Sequence, residues 1–126
     1  MRGTVLFVDD EEMNRTLLSL QLSREQFEVV TCADGASAFA ALDQRPFDLI
    51  LLDVMMPPPD GIEICRRIRA RGIAVPILVM SGWPDADTQR RARAAGGDAF
   101  LPRPYRREEL LATVERLLRP EVRAAP

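Results

Sequence analysis

Asp9, Asp10, Asp53, Ser81 and Arg103 are the residues whose types could do chemistry together. Each site follows a short apolar run: Val5-Leu6-Phe7-Val8 before the aspartate pair, Leu49-Ile50-Leu51-Leu52 before Asp53, Ile77-Leu78-Val79-Met80 before Ser81, and Phe100-Leu101-Pro102 before Arg103. Carboxylates gathered in one place repel, and a pair ~4 Å apart costs about 4 kcal/mol at an effective dielectric of 20. A hard divalent cation removes that cost. Mg²⁺ favours oxygen ligands, keeps several waters, and takes one or two carboxylates together with a phosphate. A carboxylate beside such an ion can act as a nucleophile toward a phosphoryl group. Ser81 could then hydrogen-bond a phosphoryl oxygen, and Arg103 could make a charge-assisted bond to it.

Convergence of these residues depends on the elements that carry them. The four aliphatic residues before Asp53 predict a strand buried on both faces. In an open parallel sheet, chemistry sits beyond the carboxyl ends of the strands, and Asp53 stands at such an end. Residues 4–8 form another β-rich run that stops at Asp9-Asp10-Glu11-Glu12. A helix follows, with Met13, Leu17 and Leu20 at the spacing of one face, and with Glu11 and Glu12 at the end where the helix dipole favours negative charge. Residues 28–32 predict the second strand, and Asp34 caps a helix over 36–42. Asp60 caps a third helix with Glu63 three residues on, as in a capping box, and with Ile62, Cys65 and Ile68 as its apolar stripe. Gly72 stops it. Residues 75–80 predict the fourth strand and 84–95 a fourth helix, rich in arginine, poor in large apolar side chains and therefore the loosest element. Residues 99–101 predict a short fifth strand. The last helix carries Leu110, Leu111, Val114, Leu117 and Leu118 on one stripe; Pro120 stops it, and a frayed tail is expected beyond. Strand and helix alternate five times, which implies an α/β domain with a parallel sheet covered on both faces and right-handed crossovers.

Composition narrows the function classes. A chain of 126 residues with 47% hydrophobic residues fits one globular domain with a sizeable core. The formal net charge of −2 argues against nucleic-acid contact by this domain. No apolar run approaches the length of a membrane span, and the N-terminal residues lack a signal peptide's long apolar region, so no membrane partner is expected. Cys32 and Cys65 lie in unlike segments and suggest free buried thiols in a reducing compartment, hence a cytoplasmic location. The chain has no histidine and no lysine; all 17 basic residues are arginine. It therefore offers no imidazole base, no histidine metal ligand and no phosphohistidine of its own.

The motifs Val8-Asp9-Asp10-Glu11, Leu52-Asp53 with Met56-Pro57 and Asp60-Gly61, Ser81-Gly82, and Phe100-Leu101-Pro102-Arg103-Pro104-Tyr105 occur in that order on five βα units. Together they resemble the receiver domain of bacterial two-component response regulators, over residues 3–119. The resemblance implies a flavodoxin-like, doubly wound (βα)5 three-layer sandwich with sheet order 2-1-3-4-5. It implies a receiver domain over 1–119 and a C-terminal tail over 120–126. It makes Asp53 the phosphoacceptor and assigns Mg²⁺ to Asp9, Asp10, Asp53 and the backbone carbonyl of Met55, with Asp9 acting mainly through a bound water. Ser81 matches the switch hydroxyl, and Phe100 the aromatic that turns inward with it. Arg103 stands where the family usually has lysine, and an arginine's planar fork is not equivalent to a lysine's compact charge. Met55 and Trp83 match the positions that tune loss of the phosphoryl group.

The implied function is a signalling module rather than an enzyme. A partner histidine kinase or histidine phosphotransfer protein donates to Asp53, and the face formed by the fourth helix, fifth strand and fifth helix is remodelled. Arg90, Arg91, Arg93, Tyr105, Arg106 and Arg107 lie on or near that face and are candidates for contact with an acidic partner or a receiver homodimer. Two other functions compete. A pseudo-receiver would dock partners without phosphorylation because of Arg103. An aspartate-based phosphohydrolase would need a second aspartate two residues after the nucleophile, where this chain has Met55. A dinucleotide-binding fold is disfavoured because no G-x-G-x-x-G follows the first strand.

Overall fold

A computed structural model describes residues 2–83 and 85–119. Five strands alternate with five helices: β1 (Gly3–Val8), α1 (Glu12–Ser23), β2 (Phe27–Cys32), α2 (Gly35–Gln44), β3 (Leu49–Asp53), α3 (Gly61–Ala70), β4 (Ile77–Ser81), α4 (Ala86–Ala94), β5 (Ala99–Pro102) and α5 (Arg107–Leu117). All neighbouring strands pair in parallel, in the order β2-β1-β3-β4-β5. The expected α/β class, doubly wound order and layer arrangement are all observed.

Side chains on successive strand residues point to opposite faces, so two cores form. Leu6, Val8, Ile50, Leu52, Ile77 and Val79 pack with Ala38 of α2, Ile64, Cys65 and Ile68 of α3, and Ala92 of α4. Val5, Phe7, Leu49, Leu51, Leu78 and Met80 pack with Leu18 and Leu22 of α1 and with Leu110, Val114 and Leu117 of α5. Every residue of β3 and of β4 is buried, as their unbroken apolar runs require.

The main departure is the face of α1. Met13 is 82% exposed, and Leu17 and Leu20 are exposed as well, whereas Leu18 and Leu22 enter the core. Residues 17–22 contain four leucines, and helical spacing fits two stripes through them; only the sheet decides which one is covered. Several boundaries also shift by a residue or two. β2 begins at Phe27, β4 begins at Ile77 beyond Pro76, and α4 begins at Ala86, where the Asp85 side chain accepts from the Thr88 N–H at 2.8 Å. Pro84, the tail over 120–126 and the Pro120 helix stop lie outside the described residues.

The expected caps on α2 and α3 are present: Asp34 accepts from Ser37 N–H at 2.8 Å and Asp60 from Glu63 N–H at 2.9 Å. The capping box on α3 is half made, because the Glu63 carboxylate turns outward to Arg66 and Arg67. At the amino end of the sheet, Arg69 binds the carbonyls of Ile73, Val75 and Gly96 and the carboxylate of Asp98, which also accepts from Ile77 N–H. That network ties α3 to β4 and β5 away from the acidic residues.

Candidate functional site

Strand register puts four polar residues side by side. Val8 pairs with Leu52, so Asp9 and Asp53 are the next residues on adjacent strands β1 and β3. Ser81 ends β4 and pairs with Pro102, so Arg103 is the next residue out of β5. Arg103 N–H donates to the Ser81 carbonyl at 2.8 Å, which continues that pairing by one bond.

The carboxylates of Asp9, Asp10 and Asp53 each bring one oxygen within 4.8 Å of the others. Asp9 is fully buried and Asp53 is 2% exposed, while Asp10 faces solvent. Arg103 extends over the end of β4 and spans the two buried acids. Its Nη1 donates to Asp53 Oδ1 and its Nη2 to Asp9 Oδ2, both at 2.9 Å. The second Asp9 oxygen, Oδ1, accepts from Glu11 N–H at 2.9 Å, which turns the chain from β1 into α1. Asp9 thus supplies the polar side chain at this helix entry, where Glu11 makes no cap of its own.

Burial is the largest influence on Asp53 and pushes its carboxyl up to about 6. Arg103 pulls it down, Asp9 pushes it up, a bond from the Met55 backbone pulls it down, and Asp10 pushes it up. A charged carboxylate at this point is held against desolvation and like-charge repulsion, with Arg103 as its compensating cation.

The walls of the site differ. On the α3 side, the backbone of Gly61 lies so close to β3 that an added Cβ would stand 2.1 Å from the Asp53 carbonyl oxygen. On the β4 side, the Ser81 hydroxyl is buried and accepts from Trp83 N–H at 2.9 Å. Met55 and Trp83 flank the opening with more than half of their surfaces exposed. They share a groove of about 670 Å³ with Asp60, Asp85, Thr88 and Arg91. Phe100 is half-buried against the core on the α4 side, next to a cavity of about 50 Å³ between α4 and β5.

The remaining residues singled out by sequence are dispersed. Arg90 pairs with Asp87 at 2.8 Å, and Arg91 lies 4.0 Å from the same acid, so part of the basic surface of α4 is neutralised locally. Arg107 turns away toward Glu25 at the end of α1, at 2.8 Å. Tyr105 OH donates to Gln21 of α1 at 3.3 Å. Arg106 is the N-cap of α5, and its N–H donates to Glu109 Oε1 at 2.9 Å. The close approach to the Asp53 backbone gives the physical reason for glycine in the Asp60-Gly61 motif. Nothing in the sequence signalled that one arginine would hold both Asp9 and Asp53.

Among known proteins, the chain is 36% identical over its whole length to the alkaline phosphatase synthesis transcriptional regulatory protein PhoP of Bacillus subtilis, of which it covers 52%. It is 38% identical over 91% of its length to the response regulator MprA of Mycobacterium leprae, of which it covers 50%. The chain therefore spans about half the length of the curated relatives it matches. The chemotaxis protein CheY4 of Vibrio cholerae superposes with a TM-score of 0.88 at 33% identity, covering 92% of this chain and 98% of that one. The family model for the response regulator receiver domain matches residues 5–115, and with the acid cluster, the sheet order and the superposition the chain belongs to that family.

Proposed function

We propose that the domain accepts a phosphoryl group on Asp53 from a partner phosphohistidine and relays its presence through α4, β5 and α5. The observation that carries this reading is the gathering of Asp9, Asp10 and Asp53, two of them buried, at adjacent strand ends. An Asp53 oxygen attacks phosphorus, the P–N bond to the donor imidazole breaks with its electron pair leaving on nitrogen, and an acyl phosphate forms. The donor belongs to a histidine kinase or histidine phosphotransfer protein, since this chain has no histidine.

The three gathered carboxylates form an oxygen-only donor set that suits Mg²⁺; Asp9, Asp10, Asp53 and the Met55 carbonyl would hold it. Bound there, the ion would neutralise charge on the phosphoryl oxygens. The chain's own groups do the rest. Arg103 transfers its fork to the phosphoryl oxygens, as guanidinium geometry favours. Ser81 gives up its bond from Trp83 N–H and turns its hydroxyl toward the new anion. Phe100 then turns further inward, beside the cavity between α4 and β5. The lightly packed α4, with only Thr88 and Ala92 buried, moves most readily. The basic residues Arg90, Arg91 and Arg93 sit on that helix, where an acidic partner or a second receiver would meet them.

The test is intact mass after incubation with acetyl phosphate and Mg²⁺. The natural chain gains one phosphoryl group and Asp53→Asn gains none. Absence of the adduct on the natural chain, together with no binding of beryllofluoride, would instead support a domain that docks partners without phosphorylation.

A further inference from the structure

Arg103 satisfies two buried acids that lie on different strands. Neighbouring strands stand about 4.8 Å apart. From the end of β5, the side chain crosses β4 to reach Asp53 on β3 and Asp9 just beyond β1. A guanidinium presents two terminal nitrogens in one rigid plane, always charged, whereas a lysine has a single nitrogen. With Glu11 N–H on its other oxygen, Asp9 has both oxygens engaged. Among the described residues, no buried side-chain nitrogen or oxygen lacks a hydrogen-bond partner. The chain's own cation thus occupies one oxygen of each of the two buried acids.

We infer that Arg103 is a tethered rival of the divalent cation: an ion reaches Asp9 and Asp53 only as the guanidinium releases them. This rests on the reading of the acid cluster as a cation site, and goes beyond it by assigning Arg103 a role before any phosphoryl group arrives. Ion entry and the position of the segment after β5 are then linked. The residue that must let go is bonded through its backbone to Ser81 and is followed by Pro104 and Tyr105, whose hydroxyl touches α1.

The experiment is calorimetric titration of Mg²⁺ into the natural chain, Arg103→Ala and Arg103→Lys, with circular dichroism confirming that each is folded. Even one of the two charge-assisted bonds corresponds to roughly ten-fold, so Arg103→Ala binds at least about ten-fold tighter than the natural chain, and Arg103→Lys falls between them. Equal or weaker binding by Arg103→Ala overturns the inference while leaving the cation site intact. If Arg103→Ala does not fold, Arg103→Lys decides by the same comparison. Binding by none of the three overturns both the inference and the cation reading. An independent readout is the Arg103 Nε–H resonance in ¹⁵N-labelled protein. Saturating Mg²⁺ shifts or broadens it if the fork is released, and leaves it unchanged if the rivalry is absent.

Discussion

Replacing Asp53 by asparagine should make the metal-free protein more stable at neutral pH, although it removes the proposed phosphoacceptor. The Asp53 carboxyl is raised from 3.8 to about 6, chiefly by burial, with Arg103 offsetting part of that cost. Between those two values the folded chain binds more protons than the unfolded chain, so stability falls as pH rises through the interval. Above pH 6 the full penalty is present; below about 3.8 it is absent. At 1.36 kcal/mol per pH unit, the difference amounts to about 3 kcal/mol as an upper figure. Asparagine is nearly isosteric and carries no charge to desolvate. Urea unfolding at pH 7.5 without divalent ions is expected to show Asp53→Asn more stable by about 2–3 kcal/mol, with a melting temperature higher by on the order of 10 °C. At pH 4 the gain nearly vanishes. Saturating Mg²⁺ narrows it at pH 7.5, because the ion stabilises only the chain with the complete acid cluster. An equal gain at both pH values, or a loss at pH 7.5, would refute the assignment of a strained, desolvated anion.

Further outcomes follow from the packing and from the opening of the site. Leu18→Ala is expected to lose about 2–5 kcal/mol in chemical denaturation, while Leu17→Ala stays within about 0.5 kcal/mol, since only Leu18 enters the core. Gly61→Ala forces a methyl group onto the Asp53 carbonyl and should cost about 3 kcal/mol or more, with reduced phosphorylation in the fraction that still folds. Met55 and Trp83 are bulky, and neither can act as a base toward water. The acyl phosphate is therefore expected to persist for minutes or longer at neutral pH, and decay within seconds, followed by mass spectrometry, would remove their assigned role.

Much of this architecture was legible because strong signals agreed. The unbroken apolar runs of β3 and β4 fixed buried central strands, and the aspartates at two strand exits needed only the parallel order to meet. Asp34 and Asp60 announced their helices by side-chain chemistry that acts within three residues. The face of α1 was not legible, because Met13, Leu17 and Leu20 satisfy the helical period as well as Leu18 and Leu22 do. Nor was the fork of Arg103. Its substitution for lysine was visible, but its double engagement depends on the lateral spacing of three strand ends, which no local pattern encodes. The half-made capping box on α3 has a similar origin: Glu63 has two arginines within a helical turn that compete with the backbone for its carboxylate.

The contact between Gly61 and the Asp53 backbone has a mechanical consequence. It pins the first turn of α3, a helix with five buried residues, directly to the end of β3, so that flank behaves as an anvil. The opposite flank has a groove, an exposed indole and a helix anchored by two small side chains. On the proposed phosphorylation, the more lightly held of these two supports would be the one to rearrange. On the proposed function, the missing methyl group at Gly61 would leave the α4 side as the one that yields.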